Sequence, residues 1–373
     1  MSTEVQTRHA IGRARKARLR RLRVLPLVTG IAAMAVGFVT GLARLGVELP
    51  ESASALVPWH GAFMIAGFLG TLISLERAIA LGRPWAYGAP ALSSAGALAL
   101  FAGAPAAAGA TFLLASVILL LATCAIAMRH VALFTVVLAL GAACWTAGTL
   151  AWLAGHSGPE IAGWWLDFLL LTVAAERLEL SRIVNPSRAS HIVFAAAVAL
   201  VLAGAARGEL AGVSAPFTAV GLLACAAWLA RHDVARRIIR QAGQPRFSAV
   251  AILAGHAWIA IAGIVLLIWP PGTRPFSYDA TVHAIAIGFV LSMVFGHAPI
   301  ILPAVTGLRP RISTACYAPL ALLHLSAIIR VGGDLLAWTN VRAASGVLTV
   351  LALAGYAGLL IAGAAASLLK REA

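Results

Sequence analysis

Long apolar runs, separated by short polar stretches and by Gly or Pro, follow one another along almost the whole chain. Each reaches roughly the 20 residues that a helix needs to cross a bilayer. In order they are Leu25–Arg44, Trp59–Leu81, Ala86–Ala104, Ala107–Ala127, Val131–Gly155, Ile161–Leu178, Ala189–Ala205, Val213–Ala230, Ser248–Trp269, Tyr278–Ile301, Thr314–Val331 and Ala343–Leu369. The pattern predicts an all-α polytopic membrane protein of about twelve transmembrane helices, with a basic arm over residues 1–23 and one transmembrane domain over 24–373. Pro105, Pro299 and Pro303 fall at seams where a helix either ends or kinks.

Composition agrees with this pattern. Hydrophobic residues make up 61% of 373, charged residues 11%, and the mean hydropathy is +0.93, values that a water-soluble domain of this length does not tolerate. The formal net charge of +15 reads as topology rather than as nucleic-acid binding. Arg8, Arg13, Arg15, Lys16, Arg18, Arg20, Arg21 and Arg23 precede the first run and set the amino terminus in the cytoplasm. With that orientation 23 of the 28 Lys and Arg residues lie on the cytoplasmic side, and only Arg44, Arg207, Arg274, Arg330 and Arg342 lie outside. A missed or invented helix would scramble the asymmetry, so both termini are expected in the cytoplasm, in a bacterial-type inner membrane. Anionic lipid is the expected partner of the arm.

The first run is longer than a signal-peptide core and lacks a small-x-small cleavage site, so it is expected to stay as a helix. Cys124, Cys144, Cys225 and Cys316 are scattered singly, without a C-x-x-C pair, which disfavours disulfides and covalent haem attachment.

A histidine lies buried near the start of the second run, His60, and of the tenth, His283. An ionisable side chain inside a span is costly and points to function. In the twelve-span topology both histidines sit within the first two turns of helices that run from outside to inside, so they are level near the outer face. Two level imidazoles on different helices can take the axial positions of a haem iron. At the helical period Met64 and Gly67 return to the face of His60, with Gly67 leaving room for a flat ring, while Ile287 and Val290 return to that of His283 as apolar wall. The alternative is that each imidazole donates to a backbone carbonyl near the interface.

The motifs Trp-His-Gly-x-x-Met-x-x-Gly-Phe at 59–68 and His-Ala-x-x-x-Gly-x-x-x-x-Met-x-x-Gly at 283–296 resemble the second- and tenth-span signatures of the NnrS family. Those are twelve-span haem- and copper-containing membrane proteins linked to nitric-oxide stress, similar in layout to the catalytic subunit of haem–copper oxidases. The resemblance implies a haem with His60 and His283 as ligands near the outer face; the level pair without a C-x-x-C-H predicts that it is non-covalent and b-type, with electron transfer from a donor protein or handling of a small diatomic gas as its role. Whether a substrate is turned over stays open.

Further candidates follow from depth and charge. His256, His297 and His324 could build a second centre, copper or a second haem; His297 lies 14 residues beyond His283, about 21 Å deeper, and cannot share its iron. Arg274 and Arg330, on the side where positive charge is scarce, are the candidates for holding haem propionates. Glu76-Arg77 and Glu176-Arg177 read either as a proton entry or docking surface, or as a clamp that pairs across helices. Asp167 could meet an arginine or the indole of Trp164 or Trp165. The competing function class is a secondary transporter of a small solute, although its polar groups would be expected nearer the midplane.

Overall fold

Among the described residues every regular element is helical, and each of the twelve predicted runs becomes a helix. The computed structural model describes residues 2–48 and 51–372, with side chains over 23–48 and 53–367. The arm's side chains from Arg8 to Arg21, including His9, and those of Glu51, Lys370 and Arg371 lie outside the described residues. The helices are α1 (Ser2–Arg44), α2 (Val57–Leu81), α3 (Gly88–Phe101), α4 (Pro105–Arg129), α5 (Leu133–Leu153) and α6 (Gly158–Ser181). They continue as α7 (Arg188–Ala206), α8 (Pro216–His232), α9 (Gln244–Ile268), α10 (Ser277–Thr306), α11 (Thr314–Leu335) and α12 (Thr339–Glu372). The arm and the first apolar run share one continuous helix.

Nine of these helices, among the described residues, are long and apolar enough to cross a membrane. The other three are α3 and α8, only 14 and 17 residues long, and α6, which carries Glu160, Asp167, Glu176, Arg177 and Glu179. Exposed Leu25, Ile31, Leu114, Leu121, Ile192, Leu267 and Ile361 give the helices an apolar outer surface, as lipid contact requires.

Local sequence explains the boundaries. Pro105 opens α4, where its missing N–H costs nothing. Gly82 and Gly307 end α2 and α10 in the left-handed conformation, at φ +67° and +79°. Pro299 and Pro303 lie inside α10 and do not end it.

Sequential helices pack as neighbours, and α1 closes the arrangement by touching α10 and α12 as well as α2 and α3. Hydroxyls fasten the crossings: Thr71 Oγ1 donates to Ser93 Oγ (2.8 Å) and Ser93 to Ala66 O (2.7 Å) between α2 and α3. Ser292 donates to Ala251 O and Ser248 to Gly296 O, both at 2.7 Å, between α10 and α9. Such bonds substitute for the hydrophobic drive that is missing between helices in lipid.

Two helices are irregular in the same way. Residues 63–70 of α2 and 284–291 of α10 are wound as π-helix, with a Gly-Phe pair at the same two places in each stretch, Gly67-Phe68 and Gly288-Phe289. Stretches of this kind usually mark functional sites. Gly288 is needed for packing, because a Cβ there would lie 2.2 Å from the ring of Trp258. The Gly288→Ala variant is therefore expected to lose about 1–3 kcal/mol, measured as a lowered unfolding midpoint in detergent; an unchanged midpoint would show that Trp258 can move freely.

Candidate functional site

Just before the two π-wound segments, His60 and His283 stand on the wall of one cavity of about 900 Å³. Its lining comes from α1, α2, α5, α6, α10, α11 and α12, so no short segment contains it. Both histidines are partly buried. His60 Nδ1 donates to Gly37 O (2.6 Å) and His283 Nδ1 to Asp279 O (2.8 Å).

These are the backbone bonds that the structural alternative called for, yet they also do something else. An imidazole that donates through Nδ1 is fixed in the tautomer whose Nε2 lone pair is free to bind a metal. Neither Nε2 has a hydrogen-bond partner among the described residues. The room for His60 comes from α1: a Cβ on Gly41 would lie 2.7 Å from His60 Cε1, and one on Gly37 would lie 2.6 Å from Met64 Sδ. The Gly37-x-x-x-Gly41 spacing was the sequence signal for this seat and went unused.

Met64 and Ile287 line the cavity as expected, whereas Gly67 and Val290 do not. Gly67 instead faces Ala33 and Ala97, where a Cβ would meet their methyls at 3.1 and 3.3 Å, so it is a packing glycine between α1 and α3. The cause is the π-winding, which takes more residues per turn than the 3.6 of an α-helix. The face of each histidine therefore recurs later, at Leu69 and Leu291.

Aromatic rings line part of the wall. Trp59 lies 5.7 Å from Trp152, and Trp152 lies 5.9 Å from Trp165, ring centre to ring centre. The opposite rim is ionic. Asp279 accepts from Arg342 Nη2 (2.9 Å) and lies 3.8 Å from Arg330 Nη2, and Arg330 Nε donates to Asp334 Oδ2 (2.8 Å). Arg342 Nε also pairs with Asp334, and its guanidinium carbon sits 3.4 Å from the centre of the Phe276 ring. Arg330, Arg342 and the exposed Arg44 all line the cavity.

Arg274, the other arginine expected there, is turned away: it donates to Leu335 O (3.2 Å) and stacks over Trp269. Arg342 takes the place expected for Arg274. Arg342 is one of the five arginines expected on that side, but nothing in the linear order ranks one such arginine above another.

Among the described residues no group of three His, Cys, Asp or Glu side chains is placed to hold a metal. His324 Nδ1 accepts from Trp258 Nε1 (3.0 Å), which leaves its Nε2–H toward Ser292 Oγ (3.3 Å). His297 Nδ1 donates to Met293 O (2.7 Å), and its Nε2 accepts from Arg177 Nη2 (3.0 Å). Neither ring has a lone pair left for a metal. His256 lies beside Asp233, and no metal is assigned to it.

The acidic pairs act as a clamp across helices. Arg77 of α2 pairs with Glu176 of α6 as well as with its neighbour Glu76 (3.0 Å). Asp167 meets neither an arginine nor a tryptophan; its Oδ2 is buried without a partner, and Trp165 Nε1 is directed to Thr149 Oγ1 (3.4 Å) instead.

A family profile, described only as a domain of unknown function, matches residues 21–365. The chain belongs to the DUF8744 family. No curated protein and no solved structure matches it. DUF8744 membership thus spans nearly all of the helical domain, including every residue of the cavity wall, and attaches no chemistry to it.

Proposed function

We propose that the protein is a haem-binding integral membrane protein with a redox or diatomic-gas-related role, its haem held between His60 and His283. The observation that carries this reading is the pair itself: two imidazoles on separate helices, each with Nδ1 tied to a carbonyl and Nε2 free, on the wall of one cavity of about 900 Å³. The residues fit the group. Trp59, Trp152 and Trp165 offer flat apolar wall, and Arg330, Arg342 and Arg44 offer cations to carboxylate substituents. When bound, the iron supplies a one-electron couple. The protein's part is to fix both ring tautomers, orient the rings through Gly37 O and Asp279 O, and exclude water with the tryptophans. An iron held by both His60 and His283 would favour electron transfer, from a donor protein, over gas binding.

Protein purified in detergent after expression with ample haem is expected to show a low-spin bis-imidazole spectrum. Acid–acetone should extract the haem, since no C-x-x-C-H is present to bind it covalently. A preparation without a Soret band would sink the proposal. The two π-wound helices beside a large cavity favour a secondary transporter as the second reading, and a folded haem-free protein would leave that one standing.

The twelve-span topology, with both termini in the cytoplasm of a bacterial-type inner membrane, belongs to the same proposal. It rests on twelve helices in the expected order and on the positions of the basic residues. Reporter fusions after Arg83, Arg188 and Arg240 should report cytoplasm, and fusions near Glu160 and Arg274 the outside. Opposite sides for Glu160 and Arg274 would overturn it.

A further inference from the structure

About four turns along α2 and α10 from the two histidines, a second buried polar group joins five elements. Glu76 and Arg77 come from α2, Glu176 and Arg177 from α6, His297 from α10 and His256 from α9; Asp233 follows the end of α8. Arg77 is held by Glu76 and Glu176, and Arg177 by His297. Apart from the Nε of each arginine, which is also buried without a partner, the pair that is left over is Asp233 and His256.

Asp233 Oδ1 accepts from Ala235 N–H (2.7 Å). Its Oδ2 faces His256 Nε2 at 3.5 Å without a hydrogen bond, and the two side chains are 0% and 3% exposed. Asp233 Oδ2 and both ring nitrogens of His256 are buried with no partner among the described residues. Three orphaned polar atoms in one place require an explanation, because a group left unsatisfied costs about 1–3 kcal/mol.

Charge supplies the explanation. Three carboxylates (Glu76, Glu176 and Asp233) face two guanidiniums (Arg77 and Arg177), and His297 is neutral, since its Nδ1 donates and its Nε2 accepts. The group is therefore one positive charge short of neutrality. Arg177 is the charged side chain that bears on both Asp233 and His256. Glu179, which acts on Arg77, is exposed, and so are Arg231, Arg236 and Arg237 around Asp233, with the partly buried His232 beside them.

We propose that Asp233 and His256 form a proton-binding site that takes up one proton from solvent at this end of the bundle. The proton lies between Oδ2 and Nε2, no covalent bond to carbon or nitrogen is broken, and the group becomes neutral. The 3.5 Å gap closes to an ordinary charge-assisted hydrogen bond. Glu76 and Glu176 share Arg77, and an aspartate label distinguishes Asp233 from both. A metal cation is disfavoured, since among the described residues no third ligand joins the pair. The site is independent of the haem proposal.

The test uses the full chain in detergent, with aspartate carboxyl and histidine ring isotope labels and infrared difference spectra between alkaline and mildly acidic buffer. The wild type is expected to show an aspartate change and an imidazole change that titrate together. Asp233→Asn should remove both, and His256→Gln should remove the aspartate change. If Asp233→Asn does not fold, His256→Gln decides alone. An aspartate signal unaffected by His256→Gln, the absence of any signal that depends on Asp233, or a response to added Zn²⁺ in place of pH would each overturn the proposal.

Discussion

Replacing His60 or His283 by Ala is expected to abolish the low-spin haem signal or convert it to a high-spin one, whereas His297→Ala is expected to keep it. The first two rings line the cavity and the third does not. An axial ligand to iron contributes far more than one hydrogen bond, so the loss should be close to complete at equal protein concentration, as read by absorbance and by the haem-to-protein ratio. Histidines that only satisfied Gly37 O and Asp279 O would behave differently. Their removal would cost about 0.5–1.5 kcal/mol of stability each, without spectral contrast among the three variants. Loss of haem from His297→Ala with retention in His283→Ala would place the cofactor beside Arg177 and refute the assignment.

Asp334→Asn is expected to be the most destabilising of the simple substitutions. Its carboxylate is fully buried and holds Arg330 and Arg342 together, and both guanidinium side chains are less than a tenth exposed. Removing one partner leaves the others' charge buried, and breaking such pairs costs about 3–5 kcal/mol. The measurement is thermal unfolding in detergent, or yield of monodisperse protein where the variant does not survive extraction. Arg274→Ala, which removes an exposed arginine from the same end of the bundle, should stay within about 0.5 kcal/mol of wild type. Equal behaviour of the two variants would mean that the Asp334 cluster is solvated and contributes no more than a surface pair.

Much of the architecture was legible in the linear pattern. A run of some 20 apolar residues leaves its backbone polar groups no partner except its own helix, so the twelve helices fall where the runs fall. His60 and His283 stood out for a related reason: few ionisable groups interrupt those runs, and the cost of burying one makes it conspicuous. The clamp between Arg77 and Glu176 was also foreseeable as a pairing across helices, although Arg77 bonds its own neighbour Glu76 as well.

Other features were decided only in three dimensions. Gly67 and Val290 were assigned to the histidine faces from a period of 3.6, and the π-winding of residues 63–70 and 284–291 moved those faces on to Leu69 and Leu291. No local signal distinguishes such winding from ordinary helix, because both bury the same apolar residues. The fates of His297 and His324 were equally hidden. Each ring looked like a ligand in sequence, and each has both nitrogens engaged by side chains or carbonyls, some far away along the chain, such as Arg177 and Trp258. Arg342 likewise joined the cavity rim through Asp279, 63 residues earlier in the chain. Hydropathy acts residue by residue along one dimension, and so the sequence alone determined the helices and the cost of each buried charge. Which lone pairs remain free depends on partners from other helices, and only the packed structure brings those partners within reach.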